Sequence, residues 1–201
     1  MRTISGLFDD YDDARKVVSE LEGVGIPSDN ISIVANNAGD RYSDVSSGAA
    51  TGAGAGAGLG AAGGGAIGLL TGLGLMAIPG VGPVVAAGWL ASTAAGAAAG
   101  AVAGAAAGGI VGALTDSGVR EEDAQLYAEG VRRGGTLVTA KVDDMMVAEA
   151  DAIMRKWNRV DPSLRRRVYT EEGWTRFDER LDPYTLDQVR RERERYRSMM
   201  P

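Results

Sequence analysis

Cysteine and histidine are both absent from this chain of 201 residues. Without cysteine there can be no disulfide and no thiol chemistry. Without either residue there can be no Cys/His zinc site and no Ser-His or Cys-His nucleophile pair. Aromatic residues are also scarce, at 5% of the chain, so we expect no large conventional core. We therefore assign no catalytic residue, no cofactor and no metal site, and we predict that the protein is not an enzyme.

Acidic residues outnumber basic ones by 27 to 21, which gives a net charge of −6. Its distribution is uneven: residues 158–201 carry 11 arginines against nine acidic residues, so the remainder of the chain is strongly acidic. An acidic body disfavours general nucleic-acid binding, which needs a basic surface to displace counterions. The basic tail could still contact an anionic lipid or an acidic partner. No motif indicates a small-molecule substrate.

An N-terminal targeting signal is not evident. The first ten residues contain no sufficiently long apolar run and reach Asp9 and Asp10 at once. A secretory signal would need a basic start followed by a continuous apolar stretch. We therefore expect the N-terminal domain to remain in the cytoplasm.

Glycine is the residue that the chain has in excess, and it recurs at every fourth position in two blocks. The positions are Gly52, Gly56, Gly60, Gly64, Gly68, Gly72, Gly88, Gly96, Gly100, Gly104, Gly108 and Gly112, with Ser92 in the one gap. No charged residue occurs between Asp44 and Asp116. This spacing places small residues along one ridge of a helix, where another backbone can approach closely. It predicts helix packing and self-association, and a homo-oligomer is the expected state.

A turn divides this uncharged region into two arms. Pro79 and Gly80 suit the centre of a type II turn, Gly82 follows, and Pro83 suits the first position of a new helix. Each predicted helical arm is longer than the roughly 20 residues that span a bilayer. Large apolar residues concentrate near the turn and are the predicted lipid or assembly contacts: Ile67, Leu69, Leu70, Leu73, Leu75, Ile78, Trp89 and Leu90. We predict a hairpin associated with the inner face of the cytoplasmic membrane.

The flanking sequence predicts an α+β fold. Residues 1–44 give a strand, a helix from Tyr11 to Glu22 and a second strand from Asn30 to Ala35. Residues 116–157 give a helix that Gly134 and Gly135 end, a strand from Thr136 to Val142, and a further helix. Because neither half has a stable sheet alone, we expect one small split β-α-β domain of the ferredoxin-like type, interrupted by a long Ala/Gly-rich helical hairpin over residues 45–115.

The tail, residues 158–201, is predicted to be charged and to contain a short helix. Thr185 and Gln188 form a capping-box pattern that should start this helix, and its mixed Arg and Glu residues favour a solvated face. Gly173 to Asp178 reads as a segment that packs back on the domain, with a docking peptide as the alternative.

Other local patterns have plainer explanations than a site. The acidic runs 121–123 and 143–144 suit helix starts. The GxGxxG pattern at Gly58, Gly60 and Gly63 lacks both the preceding strand and the acidic ribose ligand of a dinucleotide site.

Several of these pieces together resemble a known family. They are the opening strand with Phe8-Asp9-Asp10, the following helix, the strand Asn30 to Val34, the turn from Ala77 to Pro83, and the stretch from Tyr127 to Val138. In this order, over roughly residues 3–157, they resemble the bacterial general stress or heat-induced stress proteins (YflT-like), in a form with a glycine-zipper hairpin. The resemblance implies a role in stress and no set of catalytic residues.

Three hypotheses follow. The first is a non-enzymatic bacterial stress-response protein that self-associates through its glycine ridges and contacts the membrane. The second is a soluble structural assembly or scaffold in which hairpins pack together. The third is a small regulatory, ligand-binding domain with the hairpin as its anchor.

Overall fold

The computed structural model describes residues 1–40, 74–78, 80–93 and 109–199. The strands are β1 (Arg2–Phe8), β2 (Ile31–Asn36), β3 (Gly74–Ile78), β4 (Gly82–Gly88) and β5 (Thr136–Val142). The helices are α1 (Tyr11–Gly23), α2 (Gly109–Asp116), α3 (Glu121–Arg132), α4 (Val147–Lys156), α5 (Pro162–Glu171) and α6 (Leu186–Met199). Residues 89–93 form a short helical segment directly after β4.

The strands form one antiparallel sheet in the order β1-β5-β2-β4-β3. Strand β5 lies between β1 and β2, so β1-α1-β2 is a split β-α-β unit. The predicted α+β class is therefore confirmed. All six residues of β2 are buried, because this strand is central in the sheet and both of its faces are covered.

One face of the sheet is covered by α1 and α4. Helix α1 begins where the Asp10 side chain accepts a hydrogen bond from the Asp12 backbone N–H, which caps the helix. Its apolar residues recur at three- and four-residue spacing and pack on the sheet together with Ile153 and Met154 of α4. The opposite face is covered by α2 and α3, whose buried residues join Val34, Val84 and Leu137 in a second core.

The predicted helical hairpin is wrong in the part that the structure describes. Residues 74–78 and 82–88 are strands, and the turn between them joins β3 to β4 rather than two helices. These strands are part of the same sheet as β1, β2 and β5, so the boundaries predicted for a separate hairpin domain do not hold around the turn. The rest of that hairpin, at residues 41–73 and 94–108, lies outside the described residues.

The physical reason is visible on both sides of the turn. Glycine costs a helix about 1 kcal/mol relative to alanine at each interior position, whereas Val84 and Val85 favour a strand. Gly80 has a φ of +73°, and the Val81 N–H donates to the Ile78 carbonyl at 3.0 Å, which closes a tight reversal. Pro83, predicted to start a helix, lies in β4 opposite Ala77 of β3.

The tail is also more folded than its charge predicts. Helix α5 was not predicted, and it starts with Pro162 after Asp161, whose side chain accepts from the Ser163 and Leu164 N–H groups. Helix α6 begins at the predicted capping box: the Thr185 N–H donates to the Gln188 side chain at 2.8 Å. The solvated face predicted for α6 is wrong on one side of the helix, where Val189, Glu192 and Tyr196 are buried.

Candidate functional site

The most distinctive chemical feature of the described residues is a buried ionic cluster at the end of α3. Glu129 is completely buried and accepts from two arginines of the same helix region. Arg132 Nε donates to Glu129 Oε2 at 2.8 Å, and Arg133 Nε donates to Glu129 Oε1 at 2.5 Å. Residues three and four apart lie on the same side of a helix. One carboxylate therefore holds both guanidinium groups.

The tail supplies the other partners of these arginines. Arg133 pairs with Glu172, which follows α5, and donates from Nη1 to Glu192 Oε1 of α6 at 3.0 Å. Its guanidinium also lies 4.0 Å from the centre of the Tyr169 ring. Arg132 Nη1 donates to the Asp182 carbonyl at 2.8 Å. Arg132 and Arg133 thus bind three separate parts of the tail.

A second, partly buried ion pair attaches α5 to the start of α1. Arg165 donates to both oxygens of Asp9, from Nη1 at 2.9 Å and from Nη2 at 2.7 Å. The Arg165 guanidinium lies 3.5 Å from the centre of the Tyr196 ring of α6. A planar fork that pairs with a carboxylate and stacks on an aromatic ring is a geometry that lysine cannot reproduce.

The ionisation of these groups follows from their surroundings. Burial alone would lower the pKa of Arg133, but hydrogen bonds to Glu129 and Glu172 outweigh burial and raise the pKa above its ordinary value. The pKa of Arg165 is raised in the same way, chiefly by Asp9. Burial raises the pKa of Tyr196. Near neutral pH the arginines of the cluster are therefore charged and its tyrosine is neutral. These charges hold the helices and the tail together.

Glu172 makes the cluster sensitive to acid. Burial opposes its ionisation, but hydrogen bonds from Arg133 and Arg195 prevail, so the pKa of Glu172 is lower in the folded protein than its ordinary 4.5. A carboxylate with a lowered folded pKa stabilises the fold above its unfolded pKa and loses that contribution as the pH falls through its folded pKa. Glu172 should therefore stabilise the protein fully at pH 7 and progressively less as the pH falls below 4.5.

This expectation is checked by urea unfolding of wild type and Glu172→Gln between pH 3 and pH 7. The stability difference should be largest near neutral pH and should shrink below about pH 4.5. Glu171→Gln is the matched control, since Glu171 is an exposed carboxylate next to Glu172 in the chain. A difference between wild type and Glu172→Gln that does not vary with pH would contradict the assignment.

Residues 177–189, which we call the strap, cross the turns at one end of the sheet. Phe177 is buried in the core formed with α2 and α3, and its N–H donates to the Gln125 side chain at 2.9 Å. A Cβ at Gly82 would lie 2.5 Å from Pro183, and one at Gly134 would lie within 2.6 Å of both Cγ atoms of Val189. The strap therefore lies directly on the backbone of the β3–β4 and α3–β5 turns, where any side chain would push it away.

A cavity of about 220 Å³ lies beside the cluster. Its walls include Asp10 and Asp13 near the start of α1, and Arg193, Tyr196 and Arg197 of α6. Asp13 is already engaged by Lys16 and Asn158. Across the described ranges, no group of three or more acidic side chains is placed to hold a metal ion. The cavity gives no arrangement of a nucleophile with a base.

The structure describes only part of the predicted association and contact set. Among the glycines, Gly88 ends β4 instead of lying on a helix ridge, and Gly112 is buried in α2. Ile78 and Leu90 are buried in the core, so neither side chain is exposed for the predicted lipid or assembly contact. The remaining predicted positions outside the described residues are Gly52, Gly56, Gly60, Gly64, Gly68, Gly72, Gly96, Gly100, Gly104, Gly108, Ile67, Leu69, Leu70, Leu73 and Pro79.

Leu75 and Trp89, two of the predicted lipid or assembly contacts, lie at the surface of the domain in different surroundings. Leu75 is 56% exposed on β3, the last strand of the sheet in the part of the chain described. Trp89 lies under Lys141, with Nζ 3.9 Å from its ring centre, so it contacts the domain's own surface. Within the described ranges, no helix is both long enough and apolar enough to cross a bilayer.

The sequence interpretation missed the ionic cluster. Arg and Glu alternate in the tail as they do on a solvated helix, and nothing local marks Glu192 or Arg165 as buried. One signal was present: Val189 and Tyr196 lie seven residues apart in α6, so they share one face of a helix that is otherwise strongly charged. That spacing indicates a helix with one packed face.

The fold and the cluster define an α+β domain closed by its own C-terminal tail. Residues 3–78 match the family model of the heat induced stress protein YflT domain. The predicted resemblance is confirmed over this segment, from β1 to the end of β3. The match does not extend to residue 157 as predicted, nor to the tail. Comparisons with curated proteins and with solved structures give no significant match.

Proposed function

We propose that this chain is a stress-response protein, that it is not an enzyme, and that it acts by self-association through its two glycine-rich segments, residues 52–72 and 96–108. The observation that carries the proposal is the four-residue repeat of glycine in a region without charge. Such a ridge lets two backbones approach closely and gain van der Waals contact. In this proposal the folded domain has a structural role, and the glycine-rich segments make the contacts between copies.

Some of the residues predicted to make association contacts are already used inside the folded domain. Gly88, Ile78 and Leu90 are used by the sheet and its core, so they are removed from the proposed contact set. Gly112 packs within the domain in α2. The described residues support the proposal through their chemistry. Their buried charges are paired with one another and hold secondary-structure elements together, as expected of a domain with a structural role.

The proposal predicts that filling the ridge prevents association. Replacing both Gly100 and Gly104 with leucine places branched side chains where a neighbouring backbone should lie. We expect the concentration of half-association to rise by at least about tenfold, measured by sedimentation velocity without detergent. Ala98→Leu with Ala106→Leu is the matched control, because two residues correspond to about 200° around a helix. Equal association of wild type and the glycine variant would contradict the proposal.

Membrane contact through the same segments is a second candidate function. The absence of charge from residue 45 to residue 115 favours it. Flotation with vesicles rich in phosphatidylglycerol tests it, with Leu69→Arg and Leu70→Arg as the disrupting variant. A central arginine costs membrane insertion about 2.5–3.5 kcal/mol. Flotation of the wild type but not of the arginine variant would support lipid contact. If the wild type does not float with the vesicles, this candidate function is excluded.

A further inference from the structure

A smaller cavity lies inside the ionic cluster, where the end of α3 faces α5 and α6. Its volume is about 10 Å³, which is close to the space that a single water-sized particle needs. Its walls combine the backbone of the α3–β5 turn with side chains that are distant in the chain. The charged and aromatic residues on these walls are Asp9, Arg133, Arg165, Tyr169, Glu192, Arg193 and Tyr196.

Tyr169 of α5 carries the first unpartnered donor at this cavity. Its side chain is completely buried, with the Arg133 guanidinium over its ring and Trp174 at its edge. Arg165 and Tyr196 approach its hydroxyl, but among the described residues no atom forms a hydrogen bond with it. Because a buried hydroxyl without a partner is costly, this one indicates a further partner within the cavity.

Arg193 of α6 carries the second unpartnered donor. Its Nη2 donates to the Gly134 carbonyl at 3.2 Å, whereas its buried Nε has no partner in the described part of the chain. An arginine Nε–H can only donate a hydrogen bond. The other two arginines on the walls have carboxylate partners, but no described carboxylate lies within ion-pair distance of Arg193. Its positive charge is therefore left without a counter-charge beside the cavity.

We propose that this cavity binds one small inorganic anion of about the size of chloride, held by the Tyr169 hydroxyl and the Arg193 Nε–H. Both groups donate, so they need an acceptor between them. The charge of Arg193 favours an anion over water, because hydrogen bonds between ionised groups are roughly twice as strong as neutral ones. A phosphate or an organic carboxylate is too large for a cavity of about 10 Å³. The bound anion joins α5 to α6 and so stabilises the folded tail.

A chloride titration of the intact protein tests this site. Urea midpoints are measured in sodium chloride and in sodium gluconate at equal ionic strength, so that screening of surface charges is the same in both salts. Gluconate is too large to enter the cavity. Because a ligand that binds only the folded state stabilises that state, we expect the midpoint to rise with chloride concentration and not with gluconate. Broadening of the chloride NMR signal by the folded protein gives the affinity.

Two variants remove the donors one at a time. Arg193→Gln should weaken chloride binding at least about tenfold, the usual effect of losing a hydrogen bond to a charged group. Tyr169→Phe removes only a hydroxyl, should weaken binding about threefold to tenfold, and serves if Arg193→Gln fails to fold. Arg191→Gln is the matched control, because Arg191 is an exposed arginine of the same helix, and it should bind chloride as the wild type does.

Two results would overturn the proposal. The first is a wild type that responds equally to chloride and gluconate and does not broaden the chloride signal, which would assign the cavity to water. The second is an equal loss of chloride binding in Arg193→Gln and Arg191→Gln, since the effect would then follow the net charge of the surface and not the cavity.

Discussion

Replacing Glu129 with alanine is expected to lower the free energy of unfolding by about 3–5 kcal/mol. The carboxylate is completely buried and accepts from Arg132 and Arg133, which are themselves 6% and 7% exposed. Without it, both guanidinium groups lose their nearest counter-charge and stay out of water. Removing one partner of a buried pair costs far more than the pair contributes, because the remaining charge is uncompensated.

Urea denaturation followed by circular dichroism measures this effect. Glu121→Ala is the matched control, because Glu121 belongs to the same helix and is exposed. It should change stability by no more than about 0.5 kcal/mol. The two variants remove the same charge from α3, so net charge and helix propensity cancel in the comparison. Similar stabilities of the two variants would show that Glu129 is not the centre of a buried network.

Gly88→Val is expected to destabilise the fold by about 3 kcal/mol. A positive φ costs a residue with a side chain roughly 1–2 kcal/mol, and overpacking adds about 1–3 kcal/mol. Gly88 has a φ of +88°, and a Cβ there would collide with the Ile31 carbonyl oxygen and lie 2.8 Å from Ser32 Cα. The effect arises from the close approach of β4 to β2, where Ser32 pairs with Gly88.

The same substitution distinguishes between two placements of Gly88, in the sheet as observed or on the helix ridge that the sequence predicts. On a ridge, Gly88→Val would impair association while leaving the monomer's stability nearly unchanged. In the sheet, it lowers stability at every protein concentration. Gly23→Val is the control, since nothing lies within 4 Å of a Cβ at Gly23, and it should have little effect on the urea midpoint. A stable Gly88→Val protein would contradict the placement of β4.

Much of the fold could be predicted from the sequence where the pattern is local. The α1 prediction ends within one residue of the observed helix, because an acidic cap and an apolar stripe define it. The strand Thr136–Val142 was predicted at its observed bounds, since the glycines at 134 and 135 separate it from α3. The capping box at Thr185 likewise marked the beginning of α6.

The β3–β4 hairpin could not be predicted because two periodicities overlap there. Glycine at every fourth position favours a helix with a ridge of small residues. Val84 and Val85 favour a strand, but this strand forms only when β2 is available to pair with it. That neighbour lies about 50 residues away in the chain. Tertiary pairing therefore overrides the local pattern, and a repeat that continues through residue 88 gives no sign of where it stops being helical.

The ionic cluster was missed for a related reason. Glu192 and Glu194 are nearly equivalent in the sequence, but only Glu192 faces Arg133 across the α3–α6 contact. Arg165 is likewise indistinguishable from Arg166 and Arg167 until Asp9 is placed beside it. Burial of a charge depends on its partner, and the partners here are separated by up to 156 positions. Local composition does not report such pairs.

The central claim is self-association, and the molar mass of the intact protein tests it most directly. Sedimentation velocity in detergent-free buffer should show a defined species larger than the 20.8 kDa chain, and its share should increase with protein concentration. Phosphatidylglycerol vesicles added to a parallel series distinguish association with lipid from association between copies. A single species of 20.8 kDa at every concentration, with or without vesicles, would contradict the account.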